Sequence, residues 1–221
     1  MRLVAILGSP HDMKGTTALL VNAFLDAAQE AGAETELLNV AKLNIAPCVA
    51  CDTCHKVGKC PIKDDFPQVL DAMLSADAIV LASPNYIFSV SAQMKALFDR
   101  CCGPIHLMAF RGKYGAALVT SGGGGCEEVE AYILRFLSMM GAWTVGSAGA
   151  EAFKLFDPAQ APAAIQKAAD LGAATVAAAQ AATTYPDQAA QLEGTTAFFR
   201  QLCEMQREHW PYEHEVWQSR A

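Results

Sequence analysis

Five short apolar runs, each followed by a helical pattern, constrain the fold of this chain more than any other feature. The runs are RLVAILG (residues 2–8), ETELLNV (34–40), DAIVLAS (77–83), YGAALVT (114–120) and AWTVGSAGA (142–150). Short apolar or β-branched runs bounded by turn residues mark strands buried on both faces of a parallel sheet. The segments 17–32, 64–76, 91–102 and 126–141 place apolar residues at helical spacing, and an alanine-rich helix is expected over about 158–182. End signals agree: Gly32 is placed as a stop, Ser91 as an N-cap, and Glu127 and Glu128 in a first turn. Strand–helix alternation repeated five times predicts an α/β fold, a doubly wound five-stranded parallel sheet with helices on both faces. The order 2-1-3-4-5 suits five strands, and it puts ligands at the carboxyl ends of the strands near the switch point.

The core unit is expected over residues 1–184. Residues 185–221 lie outside it and read as one more helix followed by the aromatic run WPYEHEVW. Such a tail needs a surface, and an interface between subunits is expected there, with the body of the same chain as the other choice. No apolar run approaches the ~18 residues of a membrane span. The opening MRLVAILGSP reads as a buried strand and not a leader, so a cytoplasmic location is expected. Thiols stay reduced there, and clustered cysteines then point to metal or redox chemistry. A net charge of −7 argues against nucleic-acid binding.

The loops after strands 1, 3 and 4 carry unusual chemistry. Loop 1, GSPHDMKGTTALL, brings the Ser9, Thr16 and Thr17 hydroxyls, Lys14 and Gly15 to a helix N-terminus. That combination suits a phosphate, although a simply capped turn would use the same residue types. It is neither a Walker loop nor a G-x-G-x-x-G dinucleotide loop. Loop 3 offers Pro84, Asn85, Tyr86, Ile87 and Ser89, with the flat rings of Tyr86 and Phe88 for a planar ligand or for closing the core edge. Loop 4 follows Thr120 and Ser121 with four glycines, of which Gly122, Gly123 and Gly124 are the candidates for close backbone approach to a ligand. A phosphate site on loop 1 beside two planar-ligand loops describes a site for flavin mononucleotide, FMN.

With these loops in view, the chain resembles the NAD(P)H-dependent FMN reductases of flavodoxin-like fold, and within them the iron–sulfur flavoproteins. GSP with Gly15-Thr16-Thr17, SPNYIFSVSAQMKALFDR, TSGGGG, CVACDTCHKVGKCPIKDD and the WPYEHEVW tail carry the resemblance, which is strongest over about residues 1–150. It implies bound FMN, NAD(P)H as electron donor, and homodimers or homotetramers. The expected function is an FMN-dependent oxidoreductase. A flavin electron carrier without a nicotinamide site, an NAD(P)H quinone reductase and a non-redox phosphate-ligand sensor are the alternatives, and the electron acceptor stays open. No catalytic acid–base set is evident.

The same resemblance bears on Cys48, Cys51, Cys54 and Cys60, spaced C-x2-C-x2-C-x5-C and followed by Pro61. Soft thiolates in a compact run suit a [4Fe–4S] cluster. Zinc and unmetallated thiols are the other readings. His55 is expected to be a surface-loop histidine, and Cys101, Cys102, Cys126 and Cys203 buried packing residues.

Overall fold

The computed structural model describes residues 1–220; Ala221, the end of the expected tail, lies outside the described residues. The strands are β1 (Arg2–Leu7), β2 (Glu34–Asn39), β3 (Ala78–Pro84), β4 (Tyr114–Ser121) and β5 (Trp143–Glu151). They form one parallel sheet in the order β2-β1-β3-β4-β5. Every residue of β3 and β4 is buried, which explains their unbroken apolar character.

The helices are α1 (Thr16–Glu30), α2 (Thr53–Val57), α3 (Phe66–Ser75), α4 (Ala92–Arg100), α5 (Cys102–His106), α6 (Cys126–Met139), α7 (Ala152–Phe156), α8 (Ala161–Gln180), α9 (Pro186–Met205) and α10 (Pro211–Ser219). One sheet face packs on α1 and α8 around Leu20, Phe24 and Val176. The other packs on α3, α4 and α6 around Met73, Leu97 and Ile133. Helices α1 and α8 approach closely because Gly172 has no side chain, and a Cβ there would lie 2.2 Å from the Phe24 carbonyl oxygen.

The C-terminal region differs from expectation in one respect. The aromatic run is itself a helix, α10, started by Pro211 at a position where a missing N–H costs nothing. Trp217 is buried on its own chain with Met108, Phe199 and Cys203, and its indole N–H donates to the His106 carbonyl at 3.1 Å. Of the aromatics that motivated an interface at the tail, Trp217 is thus covered from within, Trp210 is half-buried and Tyr212 stays exposed. Among the described residues, no helix is long and apolar enough to cross a membrane.

Candidate functional site

The carboxyl ends of β1, β3 and β4 open into a cavity of about 320 Å³. Ser9, Lys14, Gly15, Thr16 and Thr17 line one side of it; Pro84, Asn85, Tyr86, Thr120, Ser121 and Gly122 line the other. Five of the expected residues stand elsewhere. Ile87 and Phe88 project into solvent, 90% and 78% exposed, and Ser89 turns the loop through paired backbone hydrogen bonds with Tyr86. Gly123 and Gly124 lie beyond the rim. His11, Ala152 and Phe156 also line the cavity. The α7 pair carries no motif and reaches the site only because β5 ends beside β4. A larger groove of about 880 Å³ runs near Trp143, Met108 and α9. None of the expected residues lines it, and doubly wound sheets bind ligands at the opposite ends of their strands.

On the loop 1 side, the first turn of α1 has no side-chain cap; the Ala18 N–H donates to the Gly15 carbonyl, and the Thr16 and Thr17 N–H groups stay free for an anion. This removes the simple capped-turn alternative. Loop 1 is braced from β2 by Asn39, whose amide donates to the Ser9 carbonyl and the Asp12 carboxylate. The buried Thr17 and Thr120 hydroxyls share a hydrogen bond of 2.7 Å and tie α1 to β4.

On the other side, Asn85 links loops 3 and 4. Its backbone N–H donates to the Thr120 carbonyl, and its side-chain N–H groups donate to the Gly124 and Gly125 carbonyls. Two carbonyl acceptors fix the amide orientation. Asn85 Oδ1 is then a buried acceptor with no partner. The adjoining Ile87 and Phe88 both have positive φ, 50° and 61°, a costly conformation for bulky side chains.

A second cavity, about 300 Å³, collects Cys48, Cys51, Cys54 and Cys60 together with Cys102 and Arg100. Ala50 and Asp52, with φ of 51° and 57°, twist the backbone between the cysteines. The Thr53 hydroxyl and backbone hydrogen bonds lower the pKa of Cys51, favouring its thiolate. Arg100 is 3% exposed and Asp64 holds its guanidinium. Arg100 Nε is a buried donor without a partner. Among the described residues, Asn85 Oδ1 and Arg100 Nε are the buried side-chain nitrogen or oxygen atoms left unsatisfied. One lines each cavity, and such atoms are uncommon in folded proteins.

Behind the second cavity lies a buried ionic network. Glu213, 0% exposed, accepts from His55 Nδ1 at 2.5 Å and His106 Nδ1 at 3.0 Å. His55 Nε2 lies 3.6 Å from Cys102 Sγ, and Trp210 packs against both imidazoles. Two expectations are corrected here. His55 is buried and not a surface-loop residue, because α10 covers it. Cys102 is not inert packing: His106 and then His55 pull its pKa down to about 6. Burial would raise the Glu213 carboxyl, but His106 and His55 outweigh it and hold the pKa below the ordinary value. Burial opposes the charge on His106, but Cys102 and Glu213 outweigh it and raise its pKa to about 9. Cys101, Cys126 and Cys203 are buried, as expected.

Arg100 carried a readable signal, a cation three residues after the buried Leu97 on the apolar face of α4. Glu213 carried none, since the imidazoles that balance its charge lie 158 and 107 residues away.

The sheet order and the three-loop cradle define a flavodoxin-like fold with a cavity at its strand ends. The family model described as NADPH-dependent FMN reductase matches residues 1–154, and the chain belongs to that family and is a flavin oxidoreductase. An iron–sulfur flavoprotein of Methanocaldococcus jannaschii is 40% identical over 149 residues, covering 66% of this chain and 76% of the relative. An iron–sulfur flavoprotein of Methanosarcina thermophila is 35% identical over 150 residues, covering 66% and 78%. Among solved structures, an NAD(P)H:quinone oxidoreductase from Methanothermobacter marburgensis aligns with a TM-score of 0.63 at 16% identity, covering 78% of this chain and 94% of that one. An NADH:FMN oxidoreductase aligns with a TM-score of 0.59 at 23% identity, covering 85% and 92%. These two likenesses establish the fold. Helices α8, α9 and α10 lie beyond the matched family region.

Proposed function

We propose that the protein holds FMN in the cavity between loops 1, 3 and 4 and moves electrons from NAD(P)H to an acceptor, with a [4Fe–4S] cluster on the four-cysteine loop. The observation that carries the flavin assignment is Asn85 Oδ1, a buried acceptor held without a partner at the cavity wall. A flavin ring offers an N–H for it. The free Thr16 and Thr17 N–H groups, with Ser9, Lys14 and the threonine hydroxyls, suit the terminal phosphate. Pro84, Tyr86, Ser121 and Gly122 suit the ring. FMN supplies hydride and single-electron chemistry, and the cluster supplies single-electron steps. The chain's own part is to orient the ring, neutralise the phosphate and exclude water at Thr17 and Thr120, both buried.

Four thiols around one cavity, beside an unpartnered buried donor, fit a cluster with its soft, negatively charged ligand set. The cavities sit at opposite ends of α4, which starts after loop 3 and ends at Arg100. Nine residues of helix span about 13 Å. In this reading residues 1–184 are the flavin-binding unit, and residues 185–221 close the cysteine loop from behind. A cytoplasmic location follows from the need to keep these thiols reduced.

Anaerobic purification, flavin extraction with chromatography, and iron and acid-labile sulfide assays test the proposal. FMN at one per chain, near four irons per chain and steady-state NAD(P)H oxidation with an acceptor are expected. Recovery of FAD, or failure to bind FMN at micromolar concentration, refutes the flavin site. FMN binding without nicotinamide oxidation identifies a carrier instead.

A further inference from the structure

We propose that Arg100 is an outer hydrogen-bond donor to the iron–sulfur cluster, giving its Nε–H to a sulfur at the four-cysteine site and thereby raising the cluster's reduction potential. This rests on the cysteine loop being a cluster site, and its test separates the two ideas.

The Arg100 side chain is locked in place. Nη1 donates to the Ala46 carbonyl at 2.9 Å and to Asp64 Oδ2 at 2.7 Å, and Nη2 donates to Asp64 Oδ1 at 3.2 Å. The guanidinium lies over the Phe66 ring, 4.6 Å from its centroid. Asp64 also accepts from the backbone N–H groups of Ala46 and Phe66. Asp64 and Arg100 thus clip together the two ends of the segment that contains all four cysteines. That clip uses only the two terminal nitrogens. Nε is surplus to it, is buried, and has no acceptor. A buried donor left unmade carries a desolvation cost, and a charged one more. The side chain cannot swing to find a partner without breaking the clip.

Arg100 lines the sulfur cavity together with Cys60. A thiolate-ligated cluster brings extra acceptor sulfur and negative charge to the cavity. Hydrogen bonds to cluster sulfurs stabilise the more negative, reduced state and raise the potential. Arginine suits the role because it remains charged at every relevant pH.

The test uses the full-length protein reconstituted anaerobically with iron, sulfide and FMN. Chains labelled with 15N-arginine are reduced and examined by pulsed electron paramagnetic resonance. A weak 15N coupling to the cluster, absent from the Arg100→Lys variant, is expected. Lysine keeps the positive charge and reach toward Asp64 but has no Nε–H. Arg100→Lys is expected to bind FMN with unchanged affinity, which reports folding, and to show a more negative cluster midpoint potential in redox titration. Absence of the 15N coupling in the unmodified chain overturns the inference whatever the variant does, even if the variant fails to fold. An unshifted midpoint in a folded variant also overturns it. Iron bound by the unmodified chain in either case leaves the cluster assignment standing. No iron after reconstitution overturns the cluster assignment and this inference with it.

Discussion

Replacing Glu213 by glutamine removes the charge at the centre of the network that fastens α10 to the cysteine loop. The carboxylate is fully buried, and each of its oxygens accepts from an imidazole, at 2.5 and 3.0 Å. Breaking a buried ion pair by removing one partner costs about 3–5 kcal/mol, because the remaining charge loses its compensation. Glutamine keeps one acceptor oxygen, so the lower end, about 3 kcal/mol, is expected. For a chain of this size that corresponds to a fall in Tm of about 6–12 °C. The pH dependence follows from the direction of each shift. The lowered Glu213 pKa contributes stability that is present above the unfolded value of 4.5 and is lost as pH falls through the folded value. The raised His106 pKa contributes stability that is complete below the unfolded value of 6.5 and is lost as pH rises through about 9. The gap between native and Glu213→Gln proteins is therefore widest between pH 4.5 and 6.5. Urea unfolding at several pH values measures it, and hydrogen exchange over α2 and α10 reports whether the two helices loosen together. A variant within about 1 kcal/mol of the native protein at pH 5–6, with unchanged protection in both helices, refutes this account of the network.

Gly172→Ala tests the α1–α8 contact: helix propensity alone favours alanine by about 1 kcal/mol, but the new Cβ meets the Phe24 carbonyl oxygen. A net loss of about 1–3 kcal/mol is expected in thermal or urea unfolding, and a stabilised variant contradicts the packing. Ser9→Ala is expected to weaken FMN binding by about 1–2 kcal/mol in flavin fluorescence titrations while leaving the melting temperature nearly unchanged. Equal affinity would place the phosphate elsewhere. The resemblance implies a homodimer or homotetramer, and Ile87 and Phe88, 90% and 78% exposed, offer uncovered apolar area that the buried Trp217 does not. Light scattering is expected to give two or four chains, with a lower mass for an Ile87→Asp, Phe88→Asp double variant; a monomer at micromolar concentration contradicts this.

The sequence by itself determined the sheet order and the positions of all five strands to within one residue at every end, because buried parallel strands and their flanking helices are written in local composition. It also determined which loops meet at the strand-end cavity, since strand order dictates which carboxyl ends are neighbours. Thr16, Thr17, Asn85 and Ser121 were legible for that reason. Tertiary structure alone decided that Ile87 and Gly123 turn away while Ala152 and Phe156 turn in, because side-chain direction depends on loop torsions that no local pattern encodes. It alone decided that His55 is buried, that Cys102 joins the sulfur cavity, and that Asp64 locks Arg100 with one donor to spare. Glu213 shows the physical reason most plainly. A buried charge is tolerable only where partners converge on it, and its two imidazole partners come from segments more than a hundred residues distant.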